Sequence, residues 1–134
     1  MRYAVISDIH GNLPALAAVL DDAKRMGVEK YILLGDYTNS FPFQNEVVEI
    51  IKQLPNKTII RGNHENYLTD IHKTPPEKRT NEMFLPLYWS YECHSRKSLD
   101  YIDSLPETAV IRDGEHQINL AHHVKATSRR TSYT

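Results

Sequence analysis

Residues 3–16 read YAVISDIHGNLPAL, and this stretch changes from the pattern of a strand to that of a helix across one short loop. Its first four residues are apolar, which predicts a short strand buried in a parallel sheet. Leucines then recur at helical spacing, and Pro14 suits the first turn of a helix, where a missing N–H costs nothing. The loop between strand and helix carries Asp8 and His10, so two potential metal ligands lie where the strand ends.

The alternation of strand and helix patterns continues through the first half of the chain. Apolar runs at residues 31–34 and 58–60 predict a second and a third strand, and apolar positions at helical spacing between residues 47 and 54 predict a second helix. This β-α-β-α-β order predicts an α/β fold built on a parallel sheet with right-handed crossovers.

The second half of the chain is predicted to be less regular. Residues 65–105 are expected to be helical with breaks at three prolines, and the last helix lies around residues 99–105. Residues 109–111 and 117–121 predict two strands, and the sequence Asp-Gly between them is typical of a tight turn.

Composition narrows the class of protein. The chain has 134 residues, 25% of them charged, and a formal net charge of −1, which argues against a strongly basic nucleic-acid binder. No apolar run approaches the ~20 residues of a membrane span, and the single cysteine, Cys93, cannot form an internal disulfide. We therefore expect a cytoplasmic protein without a membrane or nucleic-acid partner. One domain is expected over residues 1–124, followed by a frayed basic tail over residues 125–134.

Polar side chains follow each predicted strand at the point where it ends. They are Asp8 and His10 after the first strand, Asp36 after the second, Asn63 and His64 after the third, and His122 and His123 after the last. The carboxyl ends of parallel strands form one edge of a sheet, where ligand sites occur, so we expect these side chains to lie together. Carboxylate, amide and imidazole groups together suit Mn²⁺, Fe or Zn²⁺, and two such ions can hold a phosphate and activate a water.

Several of these residues also have an ordinary structural interpretation. Asp8 and His10 could cap the first helix, since both lie just before it. Asp36 could be a turn residue after a glycine. Asn63 could be the N-cap of a third helix, a role that is compatible with metal binding.

Two positions near the predicted edge leave alternatives open. Either His122 or His123 could be the ligand at the last strand, although alternation places His122 on the same face as Leu120 and turns His123 away. Trp89, which lies between tyrosines, could stack on a nucleobase, but packing is the favoured interpretation. Three histidines match no motif and are expected at the surface: His72, His94 and His116.

Taken together, the motifs resemble those of the calcineurin-like metallophosphoesterases, in particular the small bacterial single-domain branch. The resemblance is carried by Asp8-x-His10, Gly35-Asp36, Gly62-Asn63-His64-Glu65 and the strand-borne His122, and it runs from Met1 to about His123. It implies an α/β sandwich with a largely parallel β-α-β-α-β core. It also implies hydrolysis of a phosphate monoester or diester, with a phosphate-containing small molecule or a nucleotide as the substrate.

The resemblance implies a role for each motif residue. Asp8 and His10 would bind the first metal, Asp36 would bridge both metals, and Asn63 and His122 would bind the second. His64 resembles the family's catalytic histidine, which protonates the leaving group or stabilises charge on the phosphoryl oxygens, while a metal-bound hydroxide is the nucleophile. Arg61 is expected to contact the phosphate. The implied cofactors are two divalent ions, Mn²⁺ first, with Fe or Zn²⁺ as alternatives.

One motif of the family has no counterpart in this sequence. Family members continue into a Gly-His-x-His motif that completes both metal sites, whereas no histidine follows His123 here. The resemblance therefore implies a domain truncated at its C-terminus, with the last strands and two metal ligands missing. An exposed sheet edge would favour a homo-oligomer. The alternative to an active phosphoesterase is a catalytically weak or inactive metal-binding or scaffold protein of the same fold.

Overall fold

A three-stranded parallel sheet forms the centre of the molecule. The computed structural model describes residues 1–123, and its first five elements are β1 (Tyr3–Ile6), α1 (Leu13–Arg25), β2 (Lys30–Leu33), α2 (Gln44–Gln53) and β3 (Lys57–Ile59). The strands lie in the order β1-β2-β3, and both pairs are parallel, with Val5 opposite Ile32 and Ile32 opposite Thr58. The predicted β-α-β-α-β order is therefore confirmed, with small shifts at the element boundaries.

Residues at both ends of α1 explain where this helix begins and ends. The side-chain oxygen of Asn12 accepts a hydrogen bond from the backbone N–H of Ala15 (3.1 Å), and Pro14 lies in the first turn. Beyond the other end, Gly27 adopts a φ of +68°, which glycine reaches without steric cost. Leu16 is only 2% exposed, so the apolar face of the helix lies toward the sheet. The helix thus needs no cap from Asp8 or His10.

Helices cover one face of the sheet and a β-hairpin covers the other. On the helix side, Leu33 shares a buried cluster with Leu16 of α1 and Ile51 of α2. On the other side, the hairpin places Leu120 against Ile32. The hairpin consists of the antiparallel strands β4 (Thr108–Asp113) and β5 (His116–Ala121). This arrangement is an α/β sandwich with a largely parallel β-α-β-α-β core, as predicted.

A series of short helices connects the sheet to the hairpin. They are α3 (Asn63–Lys73), two 3-10 turns (Pro76–Lys78 and Glu82–Phe84), α4 (Leu85–Cys93) and α5 (Arg96–Asp103). Leu68 of α3 and Ile102 of α5 form a buried cluster with Val48 of α2. The last helix begins earlier than predicted because the Ser95 hydroxyl caps it, accepting from the N–H of Ser98 (3.1 Å).

One histidine prediction is wrong. His94, expected at the surface, is only 7% exposed, and its Nδ1 atom donates to the carbonyl oxygen of Ser90 (2.6 Å). Burial lowers the pKa of His94, because removing the ring from water disfavours its charged form. His72 and His116 are exposed, as predicted.

Two valines remain exposed on the strands. Val5 of β1 is 62% exposed and Val110 of β4 is 54% exposed, and the homo-oligomer, which stays a prediction, would use such apolar surface. Within residues 1–123, no helix is long and apolar enough to cross a membrane. The tail predicted at residues 125–134 lies outside the described residues.

Candidate metal centre

Two loops at the carboxyl end of the sheet hold their backbone in a left-handed conformation. Asp8 and His10 after β1 have φ angles of +57° and +51°, and Asp36 after β2 has a φ angle of +59°. Few residues other than glycine adopt such angles, and those that do cluster at functional sites, where the surrounding structure compensates for the strain. Here the N–H of Asp8 donates to the carbonyl of Gly35 (3.0 Å), and the N–H of His10 donates to that of Asp36 (3.0 Å), so each loop holds the other.

Asp36 lies at the centre of the site. It is 3% exposed, and its Oδ2 atom lies 3.3 Å from Nε2 of His122 and 3.9 Å from Nε2 of His10. Two groups of three side chains share it, one with Asp8 and His122 and one with His10 and His64, and the ligand atoms of each group lie within 4.8 Å of one another. Asp36 is therefore the side chain that the two groups of ligand candidates have in common.

Backbone carbonyls set the orientation of two of the histidines. Nδ1 of His10 lies 3.1 Å from the carbonyl oxygen of Thr38, and Nδ1 of His122 lies 2.6 Å from that of Leu34. A carbonyl oxygen only accepts, so each Nδ1 carries the proton, and Nε2 of the neutral ring presents a lone pair to the site. Metal-bound histidines are usually oriented in this way.

The atoms around Nε2 of His122 are those that a bound metal ion requires. This atom lies 3.0 Å from Oδ1 of Asn63 and 3.3 Å from Oδ2 of Asp36. Three atoms with lone pairs therefore converge, and they repel one another unless a positive charge lies among them. A proton on Nε2 or a divalent metal can supply that charge, and the nearby carboxylate of Asp8 makes the more highly charged ion the better match. The nitrogen and oxygen donors suit Mn²⁺, Fe or Zn²⁺.

Asp8 is the most exposed of the ligand candidates. Its side chain is 55% exposed, and its Oδ1 atom lies 3.5 Å from Nε2 of His10. The hydroxyl of Ser7 donates a hydrogen bond to Oδ2, and this bond is the main reason that the pKa of Asp8 is lowered, with the rings of His122 and His10 adding to it. The carboxylate therefore keeps its charge at neutral pH.

His64 borders the ligand candidates at the start of α3. Its backbone N–H donates to Oδ1 of Asp36 (2.9 Å). Its ring lies edge-on to those of His10 and Tyr67, with centroids 4.8 Å and 5.3 Å away. The side-chain nitrogen of Asn39 lies 3.5 Å from Nδ1 of His64 and 3.4 Å from its carbonyl oxygen. Asn39 is therefore the polar group that faces the Nδ1 side of the ring.

A buried hydrogen-bond network fixes which atom of Asn39 faces His64. The hydroxyl of Ser90 on α4 donates to Oδ1 of Asn39 (2.5 Å), and Nε2 of Gln44 donates to the Ser90 oxygen (3.1 Å). The amide nitrogen of Asn39 is thus turned toward Nδ1 of His64, an arrangement that favours the tautomer with its proton on Nε2. Sequence reasoning missed this network, because Ser90 lies 51 residues from Asn39 and no motif links them.

Glu65 and Gly62 hold the Asp36 loop against the start of α3. The fully buried carboxylate of Glu65 accepts hydrogen bonds from the backbone N–H groups of Asp36 (2.9 Å), Tyr37 (2.7 Å) and Gly62 (2.7 Å). A Cβ atom at Gly62 would lie 2.6 Å from the backbone nitrogen of Asp36, so only glycine permits this approach. Both residues are part of a recognised motif, but motif spacing did not indicate these roles.

Arg61, predicted to contact the phosphate, is held against α3. Its Nη2 atom donates to Oγ1 of Thr69 (2.5 Å) and to the carbonyl oxygen of Glu65 (3.2 Å). Its Nε atom has no hydrogen-bond partner among the described residues. Arg61 lines a cavity of about 310 Å³ together with His122 and His123. Its contact with a phosphate stays a prediction.

The structure decides between several of the alternatives that the sequence left open. Asn12 caps α1, so neither ligand candidate in that loop serves as the cap. The N-cap of α3 is Gly62 and the helix begins at Asn63, so the interpretation of Asn63 as an N-cap is wrong. His123 is exposed and belongs to neither group of ligand candidates, whereas His122 belongs to one.

An exposed aromatic side chain lies on the other side of His64. Trp89 of α4 is 57% exposed, so the favoured interpretation of this residue as a packing residue is wrong. It lines a cavity of about 320 Å³ together with His64. Tyr91, in contrast, packs against the buried cluster that contains Ile102.

The chain is similar to proteins that are longer than it is. An uncharacterized protein of Methanocaldococcus jannaschii is 36% identical over 103 residues, which are 77% of this chain and 41% of that protein. A metallophosphoesterase from Sphaerobacter thermophilus superposes with a TM-score of 0.69 at 32% identity, covering 87% of this chain and 45% of that one. A hypothetical protein from Pyrococcus horikoshii OT3 superposes with a TM-score of 0.70 at 29% identity, covering 87% of this chain and 52% of that one. The chain spans about half the length of these relatives.

The match to a protein family extends over nearly the whole sequence. The sequence model of the calcineurin-like phosphoesterases matches residues 1–132. The motifs that carried the resemblance are those whose side chains converge on Asp36 in the structure. This chain therefore belongs to the calcineurin-like phosphoesterase family.

Proposed function

We propose that this chain carries the two-metal site of a phosphoesterase that hydrolyses a phosphate monoester or diester. The observation that carries the proposal is the position of Asp36, which two groups of ligand candidates share. Family membership supports metal-dependent hydrolysis of phosphoesters in general. The proposed substrate is a phosphate-containing small molecule or a nucleotide. The proposed compartment is the cytoplasm, for which the single Cys93 is the argument.

The distances between ligand atoms are consistent with two pairs of side chains, each of which would bind one metal ion. Two ligands of one ion, each at about 2.1 Å and near a right angle, lie about 3 Å apart. Nε2 of His10 lies 3.5 Å from Oδ1 of Asp8, and Nε2 of His122 lies 3.0 Å from Oδ1 of Asn63. These two pairs would each hold one ion, and Asp36 would contact both. When bound, two divalent cations, Mn²⁺ first with Fe or Zn²⁺ as alternatives, supply Lewis acidity toward the phosphoryl group and an activated water.

His64 is the proposed hydrogen-bond donor to the leaving oxygen. Its Nδ1 atom faces the amide nitrogen of Asn39, which leaves the proton on Nε2. Its ring centroid lies 4.8 Å from that of His10, so it borders the metal ligands. A neutral ring placed there donates an Nε2–H···O hydrogen bond that stabilises the charge developing on the leaving oxygen as the P–O bond breaks, an effect of roughly 10²–10³-fold in rate, and water then supplies the proton. Arg61 is proposed to contact a phosphoryl oxygen, because it lines the same cavity as His122.

The test is Mn²⁺-dependent hydrolysis of bis(p-nitrophenyl) phosphate by the chain and two matched variants. Asp36→Asn removes the shared carboxylate, and Asp21→Asn removes a carboxylate that is 67% exposed on α1. We expect hydrolysis by the wild type and by Asp21→Asn, and a loss of at least about 100-fold in Asp36→Asn, because the lost ligand is charged and serves both ions. Equal rates in the two variants would overturn the assignment.

Thermal unfolding with Mn²⁺ separates hydrolysis from metal binding. A ligand at a hundred times its dissociation constant stabilises the folded state by about 2.7 kcal/mol, whether or not turnover follows. Stabilisation of the wild type without hydrolysis would overturn the phosphoesterase proposal and favour a metal-binding or scaffold protein. Absence of both effects would overturn the metal site itself.

A further inference from the structure

Helix α4 carries apolar side chains on its outer surface, although its buried residue is polar. Trp89 and Leu85 are 57% and 55% exposed, and Phe84 just before the helix is 45% exposed, whereas Ser90 is buried at 3%. Neighbouring apolar side chains that are exposed together suit an apolar contact.

The exposed surface of α4 forms one wall of a cavity that adjoins His64. This cavity has a volume of about 320 Å³, which lies at the lower end of the range for small-molecule sites. Its polar floor contains Asn39 and Ser90, the two residues that orient His64, and its wall contains Leu87 and Trp89. We call it the His64–Trp89 cavity.

The His64–Trp89 cavity lies beyond the metal site. Among the described residues that line it, none belongs to the five proposed metal ligands, and His64 is the residue that it shares with one of the two groups of ligand candidates. A group bonded to the metal-bound phosphate and extending past His64 would therefore enter this cavity. In the proposed reaction, the group whose oxygen accepts the hydrogen bond of His64 is the one that leaves.

We propose that the His64–Trp89 cavity receives the leaving group of the substrate and that this group carries an aromatic ring. This inference rests on the proposed function, since it takes His64 as the donor to the leaving oxygen. An aromatic ring suits the cavity because it can stack on the Trp89 indole and contact Leu87, while its attached oxygen reaches the polar floor. A nucleoside and a simple aryl alcohol share this chemistry.

Binding can be followed directly, because Trp89 is the single tryptophan of the chain. Three non-hydrolysable phosphonates are titrated into the Mn²⁺-loaded protein: methylphosphonate, phenylphosphonate and the methylenephosphonate analogue of adenosine monophosphate. They share one anionic head, and two of them add a ring. We expect a ring-bearing compound to bind about tenfold more tightly than methylphosphonate and to change the fluorescence of Trp89, as one stacked ring would produce.

Variants measured by calorimetry show whether Trp89 is responsible for the preference. Trp89→Ala is expected to remove the tenfold difference, and Trp89→Phe, which keeps a ring, is expected to retain most of it. The matched control is Val110→Ala, which removes a comparably exposed apolar side chain from β4 and is expected to bind all three compounds as the wild type does.

The outcomes separate this proposal from the proposed function. Equal affinity for the three compounds, or a preference that survives Trp89→Ala, would overturn the aromatic subsite. Tight binding of the adenosine analogue alone would identify a nucleoside, and tight binding of both ring compounds would identify an aryl group in general. A ring preference in a chain that does not hydrolyse bis(p-nitrophenyl) phosphate would overturn the leaving-group role along with the hydrolase, and leave a binding site for aromatic phosphates.

Discussion

The two sides of His64 are built in different ways. On the metal side, Asp36 is 3% exposed, and its loop is held by the buried carboxylate of Glu65. On the other side, Trp89 and Leu87 line an open cavity with side chains of one helix, and Trp89 is 57% exposed. The metal side therefore depends on backbone geometry that tolerates little change, whereas the cavity side depends on side chains that can be exchanged without moving the backbone.

Ser90 connects the two sides. It lies on α4 beside the cavity wall, yet its hydroxyl holds the amide of Asn39 that faces His64. A change on α4 can therefore act on His64 without touching a metal ligand. We therefore expect a substitution on the metal side to cost more stability than one on the cavity side.

The largest effect is expected from Gly62→Ala. Its Cβ atom would lie 2.6 Å from the backbone nitrogen of Asp36, which forces the Asp36 loop away from α3. We expect a loss of at least about 2 kcal/mol in the free energy of unfolding, together with loss of Mn²⁺ binding. Thermal unfolding with and without Mn²⁺ measures both.

The control for this variant is Gly114→Ala in the hairpin turn. Gly114 has a positive φ, +59°, whereas the φ of Gly62 is −101°, and a Cβ atom at Gly114 meets nothing within 4 Å. Gly114→Ala should lower the free energy of unfolding by about 1 kcal/mol, because of the backbone conformation alone, and leave Mn²⁺ binding unchanged. Equal costs for the two variants would show that close approach to Asp36 does not constrain the site.

A smaller effect, confined to the reaction step, is expected from Ser90→Ala. Without the Ser90 hydroxyl, the Asn39 amide is free to turn its oxygen toward Nδ1 of His64, and the ring loses its fixed tautomer. We expect kcat to fall about tenfold, a part of what an oriented hydrogen-bond donor to the leaving oxygen contributes, with the dissociation constant for Mn²⁺ unchanged. In Ser104→Ala, which removes an exposed hydroxyl from the end of α5, both constants should be those of the wild type. Weaker Mn²⁺ binding in Ser90→Ala would assign the network to the metal site instead.

The smallest effect concerns Ser7, whose hydroxyl lowers the pKa of Asp8. The pKa of Asp8 is lower in the folded than in the unfolded protein, so the hydrogen bond stabilises the folded state when the pH is above the ordinary pKa of an aspartate, about 3.9. This stabilisation is lost as the pH falls through the pKa of Asp8 in the folded protein. In the metal-free protein, Ser7→Ala should therefore lower the free energy of unfolding at pH 7. At acidic pH, the free energy of unfolding should be the same with and without the substitution. The cost should be only a few tenths of a kcal/mol, because Asp8 is 55% exposed.

Urea unfolding at neutral and acidic pH checks this prediction. The background variant Asp8→Asn has no charge for the hydroxyl to stabilise, so Ser7→Ala made in that variant should show no dependence on pH. A pH-dependent effect that persists in the Asp8→Asn background would assign it to another group.

Much of the metal side could be predicted because its signals are local. The strands, the first helix and the positions of Asp8, His10 and Asp36 follow from short apolar runs and from the rule that parallel strands end at one edge. Glu65 belongs to a motif that the sequence shows. Its three backbone hydrogen-bond partners could not be predicted, because they depend on how the Asp36 loop packs against α3.

The order of elements, the family and the set of candidate ligands could be read from the sequence, because each depends on residues close together in the chain or on a known pattern of motifs. Three features required the folded structure: the position of Asp36 in two groups of ligand candidates, the contact of Ser90 with Asn39 and the exposure of Trp89 beside His64. These contacts join segments that are distant in the chain, 51 residues apart for Ser90 and Asn39, and their geometry depends on the packing of the whole domain.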